Sequence, residues 1–326
     1  MIKHLRAIIT EVNKVSVIMN KILEWLITIL GGIIYSNYRQ MCEKIYAITS
    51  VVRDDLTYTP KQWNLGIFQI ISEISSTYLL PVAILIITYV MCYELITMVI
   101  NGNNFRDFDT SFFFKWFFKM FIAILLLDHA FEIVEAIFEL TASIAANING
   151  YIHINSGAGI WGNMADFIAD DTTFREKFNA MISIYNAENC GGIIILTILS
   201  LISGLFFIFF IPCVTLVATS RFIYSYIYIA FAPIAFATFG SRELSEIGKN
   251  YLKNIIALGF QAVIIIVVLG IYFGSAQSLM ISITGSDTLT VDAFQNAIIQ
   301  NLLLSFLVCI VLFKTQSIAK SLFSAR

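Results

Sequence analysis

Charged residues are scarce in this chain: Asp, Glu, Lys and Arg make up 13% of its 326 residues, against about 25% in soluble proteins. The chain also has only four prolines and three histidines, and no pair of its five cysteines has C-x-x-C spacing. So little charge excludes a soluble globular domain, because its polar groups could not cover the apolar residues. The cysteine spacing argues against a disulfide scaffold. The absence of H-E-x-x-H and G-x-S-x-G argues against a hydrolase.

Apolar residues, by contrast, make up 58% of the chain, and its mean hydropathy is +0.82. These values predict an all-α, polytopic helical membrane protein with about five to six transmembrane helices. We divide it into an amphipathic, membrane-associated N-terminal region (1–66), two transmembrane helices (67–146), an extracytoplasmic loop (147–190) and a C-terminal transmembrane bundle (191–326). The net charge of −2 predicts binding neither to nucleic acid nor to anionic lipid.

The N-terminal residues 1–36 place apolar side chains at helical spacing, with Lys3, Arg6, Lys14 and Lys21 between them. This pattern is typical of a helix that lies in the bilayer interface. Its most apolar part, 22–35, has about 14 residues, whereas a span needs ~17–25. We therefore expect an interfacial helix, and a crossing at 22–35 remains the alternative.

Apolar runs predict the membrane spans, which are 76–100, about 112–146, one or two within 192–240, 255–281 and about 297–313. Pro81 predicts a kink near the start of the first. The second has ~35 residues, or ~52 Å of helix, and is longer than a ~30 Å hydrocarbon core. The run 192–240 is either a hairpin of two spans or one span followed by a broken or re-entrant piece.

Basic residues set the expected orientation, because they accumulate in cytoplasmic loops. The loop with Arg242, Lys249 and Lys253 and the basic C-terminus are predicted inside. The loop 284–292 contains acids but no Lys or Arg, so it is predicted outside. Arg106, Lys115 and Lys119 place the turn between the first two spans inside, so the loop 147–190 is predicted outside. The number of spans then places the N-terminal region outside despite its basic residues, whereas a crossing at 22–35 would place residues 3–21 inside.

Four carboxylates share one face of the second span: Asp128, Glu132, Glu135 and Glu139. At 100° per residue these positions fall within about 60° of arc. Charged groups in a membrane face protein or water rather than lipid. The stripe is therefore either a solvated surface on an emerging helix or the acidic wall of a channel or subunit contact. The spacing favours no metal site.

Two further features are candidates for function. Glu94 lies inside the first span, where an ionisable residue is a functional candidate by default; the alternative is a solvated position near the cytoplasmic end.

Within the loop 147–190, apolar residues follow one helical face from Phe174 to Ala187. We expect an amphipathic helix there, with Phe174, Phe178 and Met181 docking on a partner or on the bilayer surface.

The order of these parts resembles a known family. The long apolar tract ends in Tyr228-Ile-Ala-Phe-Ala-Pro-Ile-Ala-Phe-Ala-Thr-Phe-Gly240, followed by Ile247-Gly-Lys-Asn-Tyr-Leu252 and by the segment NIIALGFQ at 254–261. Together with two spans joined by a basic turn, this resembles the TrbL-type conjugal transfer proteins. These are the polytopic inner-membrane channel subunits of type IV secretion systems. The likeness covers about residues 70–320 and is closest to the versions carried on conjugative elements of Gram-positive bacteria.

The resemblance implies a scaffold and pore component of the cell membrane, not an enzyme, with no catalytic residue or cofactor to carry over. It implies a homo-oligomer that assembles with other membrane subunits and cytoplasmic ATPases. The substrate in transit would be single-stranded DNA with attached protein, or protein alone. The alternatives are a secondary transporter or other solute channel, for which the chain shows no convincing internal repeat, and a membrane-embedded enzyme, for which only the acid stripe is available.

Overall fold

The computed structural model describes residues 2–51, 55–101, 110–155, 172–185, 190–241, 244–284 and 289–325. Every regular element within these ranges is helical. The helices are α1 (Ile2–Ser50), α2 (Pro60–Trp63), α3 (Leu65–Ile74), α4 (Leu80–Asn101), α5 (Thr110–Asp128), α6 (Ala130–Asn155), α7 (Thr172–Ile182), α8 (Cys190–Ala230), α9 (Ala232–Ala237), α10 (Ser245–Thr284) and α11 (Val291–Leu322). A π-turn at Ser75–Leu79 joins α3 to α4, and a 3₁₀ turn at Thr238–Gly240 follows α9.

Five helical segments of the described chain are long and apolar enough to cross a membrane. They are Asn13–Thr49, Leu65–Ile100, Gly191–Ala230, Ser245–Ala276 and Val291–Leu322. This confirms the predicted polytopic helical fold. Residues 112–146, predicted as one span, lie in α5 and α6, which are separated by the single residue His129.

Helix α1 continues to Ser50 instead of ending near residue 36. Its polar residues beyond 36 fall mainly on the exposed face, whereas Tyr38, Met41 and Ile45 on the other face are buried, so the amphipathic pattern persists. The segment Asn13–Thr49 has the length and composition to cross a membrane. By length and composition, α1 therefore fits the alternative of a membrane crossing better than the expected interfacial helix.

Prolines shape two of the long helices. At the π-turn, the backbone N–H of Leu80 donates to the carbonyl of Ser75, five residues back. This wider turn lies directly before Pro81, whose ring would crowd a regular helical turn. Helix α8 accommodates Pro212 and ends at Ala230, because Phe231 leaves the helical region (φ −84°, ψ 6°). The tract 192–240 therefore forms one long helix followed by a short broken piece, one of the two predicted arrangements.

The chain folds into two compact units. Unit 1 contains Met1–Ser50, His153–Val214 and Leu269–Ile310. Its core includes Phe207, Phe210 and Tyr272, all fully buried. The ring of Tyr272 packs against Phe210 at 5.4 Å, and its hydroxyl shares a 3.0 Å hydrogen bond with Ser305. A polar pair thus ties α10 to α11 inside an otherwise apolar core.

Unit 2 contains Val51–Ile152, Thr215–Val268 and Val311–Arg326. Its core joins α3 to α6 with the second half of α8, α9 and the first half of α10, through side chains such as Phe68, Val134 and Phe222. Helices α6 and α10 approach closely at Gly259, where an added Cβ would lie 2.5 Å from Thr141 Oγ1. This unit carries the acid stripe and Glu94.

Candidate functional site

The acid stripe lies where α5 passes into α6. The helical hydrogen bonds continue through the break, from His129 N–H to Leu125 O (3.2 Å) and from Ile133 N–H to His129 O (2.9 Å). The adjoining face of α6, with Val134 and Phe138, is buried in the unit 2 core. The stripe therefore lies beside the buried face, and three of its four carboxylates are exposed.

The four carboxylates have different environments. Asp128, Glu132 and Glu139 are exposed, whereas Glu135 is half-buried. Glu135 accepts a 2.8 Å hydrogen bond from the Lys61 ammonium, which also lies 5.7 Å from the centre of the Phe68 ring. This hydrogen bond raises the pKa of Lys61, so the lysine is protonated at neutral pH. One acid of the stripe is thus paired with α2, and three remain exposed.

His129 and Glu132 form a surface pair, with His129 Nδ1 3.0 Å from Glu132 Oε2. Both side chains are at least half exposed, so this contact contributes little to stability. In the ranges that the structure describes, no three His, Cys, Asp or Glu side chains converge to hold a metal ion.

Glu94 is nearly buried between α4 and α5, at 9% exposure. Its carboxylate accepts a 2.6 Å hydrogen bond from Lys119, and Trp116 Nε1 donates to Met91 O at 3.1 Å on the same pair of helices. The sequence marked Glu94 as a candidate but gave it no partner. Glu94 and Lys119 lie 25 residues apart on either side of the 102–109 connection. In an antiparallel hairpin, residues at similar distances from the connection lie side by side. The similar distances of Glu94 and Lys119 from 102–109 could therefore have identified the pair from the sequence.

The apolar face of α7 packs within unit 1. Phe174, Phe178 and Met181 are each at most 4% exposed. The Phe174 ring stacks on Tyr38 at 5.2 Å, and Phe178 meets Phe294 edge-on at 5.6 Å. The predicted amphipathic helix is present but ends at Ile182, short of the predicted Ala187. Its apolar face contacts this chain's own α1 and α11, and docking on a separate protein is not needed to explain it.

Arg221 is a structural feature that the sequence showed only as an interruption of an apolar tract. It is 5% exposed, and its Nη2 donates to the carbonyls of Asp55 (3.2 Å) and Tyr58 (3.1 Å). Its guanidinium also lies 4.6 Å from the Phe222 ring centre. An arginine in an apolar helix needs such partners, and that rule could have prompted a search for them.

The same stretch of α8 holds the segment before α3 in two further ways. The Trp63 ring stacks on Phe222 at 4.7 Å, with an interplanar angle of 8°. The Tyr226 hydroxyl donates to the Pro60 carbonyl at 2.8 Å. Residues 55–64 are thus fixed against α8, and this anchoring places Lys61 beside Glu135.

These features define a multi-pass helical membrane protein with charged groups arranged on its helices. The family model for TrbL/VirB6 plasmid conjugal transfer-like proteins matches residues 41–233, more than half of the chain, and the chain belongs to that family. Searches of curated proteins and of solved structures give no significant match. The resemblance drawn from the sequence is confirmed, and the protein is a membrane component of conjugal transfer by type IV secretion.

Proposed function

We propose that this protein is a channel and scaffold subunit of a type IV secretion machine in the cytoplasmic membrane. It assembles as a homo-oligomer with other membrane subunits and with cytoplasmic ATPases that supply energy. Single-stranded DNA with attached protein, or protein alone, passes through the assembly. The role is structural and conductive rather than enzymatic. The family match supports the place of the protein in a secretion system.

The exposed acids of the stripe carry the channel part of this proposal. Asp128, Glu132 and Glu139 are exposed in the chain, yet each would cost ~2.5–3.5 kcal/mol in contact with the centre of a lipid bilayer. Nearby on α5, Phe114 and Phe118 expose large apolar rings that suit lipid. The contrast supports an acid face turned to water or to a neighbouring subunit.

The incomplete burial of the membrane helices supports assembly into a larger complex. Only 17% of the most apolar window of α1, and 56% of that of α10, is buried within the chain. Such surfaces need lipid or other subunits to cover them. A scaffold that contacts several membrane subunits satisfies this need.

Removing the charge of the stripe while keeping its shape tests the proposal. The variant combines Asp128→Asn, Glu132→Gln and Glu139→Gln, and it keeps Glu135 so that the contact with Lys61 persists. We expect transfer from donor cells to fall while the protein still co-purifies with the other membrane subunits. A matched control changes two exposed acids outside the stripe, Glu73→Gln and Glu246→Gln, and should transfer normally.

Two results would contradict the proposal. Normal transfer by the stripe variant would make the stripe a solvated surface without a role in conduction. Normal transfer after in-frame deletion of the gene would exclude the secretion role. If that deletion instead stopped accumulation of a small solute, a secondary transporter would replace the channel subunit.

A further inference from the structure

Helix α1 carries a polar face in its second half, formed by Ser36, Arg39, Gln40, Glu43 and Lys44, and termed here the α1 polar face. Arg39 Nε donates to Glu43 Oε1 at 3.1 Å, and Gln40 Nε2 donates to Ser36 Oγ at 3.3 Å. Both side chains of the Arg39–Glu43 pair are 46% exposed. On the opposite side of the helix, Tyr38, Met41 and Ile45 are buried in unit 1.

The depth of this face in a membrane follows from α8. Residues 191–220 contain no charged side chain and extend over ~45 Å of helix. A hydrocarbon core of ~30 Å needs about 20 helical residues. Any 20-residue window within 191–220 includes residues 201–210. That part of α8 therefore lies in the hydrocarbon in every placement that keeps Arg221 outside it.

Helix α1 contacts α8 at this same level. Ser203 Oγ lies 3.7 Å from Met41 Sδ, and a Cβ added to Gly204 would lie 3.8 Å from the Asn37 side chain. Lys44 and Gln40 line a groove together with Leu205 and other residues of α8. The α1 polar face is thus level with the part of α8 that must be in the hydrocarbon.

Helix α11 gives an independent measure of the depth. Between Asp292 and Lys314 this helix has no charged residue. That uncharged stretch is about as long as the hydrocarbon core is thick. Asn301, near the middle of this stretch, donates from Nδ2 toward Met41 Sδ at 3.6 Å. Met41 lies between Arg39 and Glu43 along α1, so the contact with α8 places this ion pair within the hydrocarbon and the contact with α11 places it near the middle.

The other helices of unit 1 present apolar side chains at this depth. Ile202 and Phe209 of α8 are 53% and 64% exposed, and Leu303 and Phe306 of α11 are 59% and 54% exposed. These surfaces suit lipid, whereas an exposed Arg39–Glu43 pair does not. The Arg39–Glu43 pair and the Gln40–Ser36 pair are bonded within the helix, and the exposed atoms of the face are stabilised by water. The adjoining groove, with a volume of about 220 Å³, has room for water molecules.

We propose that the α1 polar face lines the water-filled passage of the assembled machine at the level of the hydrocarbon core. The identity of what moves along this passage rests on the proposed function. The location of the water rests on the contacts of α1 with α8 and α11.

Cysteine accessibility in the assembled, membrane-embedded protein tests this assignment. Gln40→Cys is compared with Ile202→Cys, an exposed α8 position at the same depth, each in a chain whose five native cysteines are replaced. The probe is a membrane-impermeant, positively charged methanethiosulfonate, which reacts only with a hydrated thiolate. We expect Gln40→Cys to react more than about tenfold faster than Ile202→Cys, because thiolate formation requires water. After denaturation in detergent, a maleimide should modify both variants, which shows that both thiols are present.

Two results would overturn the assignment. Equal, slow reaction of both variants with the charged reagent would place α1 in lipid. Protection of Gln40→Cys together with oxidative cross-linking between two copies would make the face a subunit contact. The outcome is separable from the proposed function: if Gln40→Cys is accessible but gene deletion leaves transfer intact, the passage stands and the secretion role fails. If transfer needs the gene but Gln40→Cys is protected, only the passage assignment fails.

Discussion

Lys119 Nζ lies 2.6 Å from Glu94 Oε1, and this ion pair joins α5 to α4. The side chains are 33% and 12% exposed, so the pair is partly shielded from solvent. Removing one partner of a fully buried pair costs ~3–5 kcal/mol, because the other charge is left uncompensated. We expect a smaller loss here, since Lys119 retains some exposure. In detergent micelles, Glu94→Leu or Lys119→Met alone should lower the thermal unfolding midpoint.

The double variant Glu94→Leu with Lys119→Met serves as the control for this pair. Replacing both charges by apolar groups leaves no unpaired charge, so its midpoint should recover most of the loss. If the two single losses simply added in the double variant, the pair would contribute nothing as a pair.

The contact between α6 and α10 gives a second prediction. A Cβ at Gly259 would lie 2.5 Å from Thr141 Oγ1 and 2.9 Å from Thr141 Cβ, so Gly259→Ala forces the helices apart. Overpacking of this kind costs about 1–3 kcal/mol, and the unfolding midpoint should fall. Gly32→Ala is the matched control, because nothing lies within 4 Å of its added Cβ. Equal midpoints for both variants would contradict the close approach.

The packing of α7 predicts a stability effect within unit 1. Phe178 is 1% exposed and contacts Tyr35 and Phe294. Phe178→Ala should cost about 3–5 kcal/mol, and limited proteolysis should cut α7 more readily while membrane insertion persists. Phe178→Leu keeps most of the volume and should lose much less. Unchanged proteolysis in Phe178→Ala would show that α7 does not depend on this contact.

The orientation predicted from charge bias is tested by labelling. Single cysteines replace Ser156, which lies outside the described residues, and Ser245, the first residue of α10, in a chain without its native cysteines. With an impermeant thiol reagent on whole cells, Ser156→Cys should react and Ser245→Cys should not, because basic loops are retained in the cytoplasm. The reverse pattern would overturn the predicted orientation.

The main helices could be predicted because long apolar runs specify membrane helices directly. Their ends were less predictable. Helix α1 continues beyond residue 36 because its buried side chains, such as Met41 and Ile45, keep the helical period although polar residues alternate with them. The break at His129 could not be predicted, since neither Gly nor Pro marks it and its hydrogen bonds continue.

The candidate site was predicted only in part. Helical periodicity shows which residues share a face, so it identified the acid stripe and the apolar face of α7. It cannot show what covers a face, and the contacts of Phe174 with Tyr38 and of Glu135 with Lys61 depend on long-range packing. The functional roles of the stripe and of Glu94 remain predictions.

Photo-crosslinking of the substrate during transfer tests the channel role most directly. A photoreactive amino acid replaces Glu139 on the acid stripe, or Phe114 on the exposed apolar face of α5, in cells that transfer actively. A channel wall at the stripe predicts that the transferred DNA or its attached protein crosslinks to position 139 and not to position 114. Active transfer without any substrate crosslink at position 139, or with equal crosslinking at both positions, would contradict it.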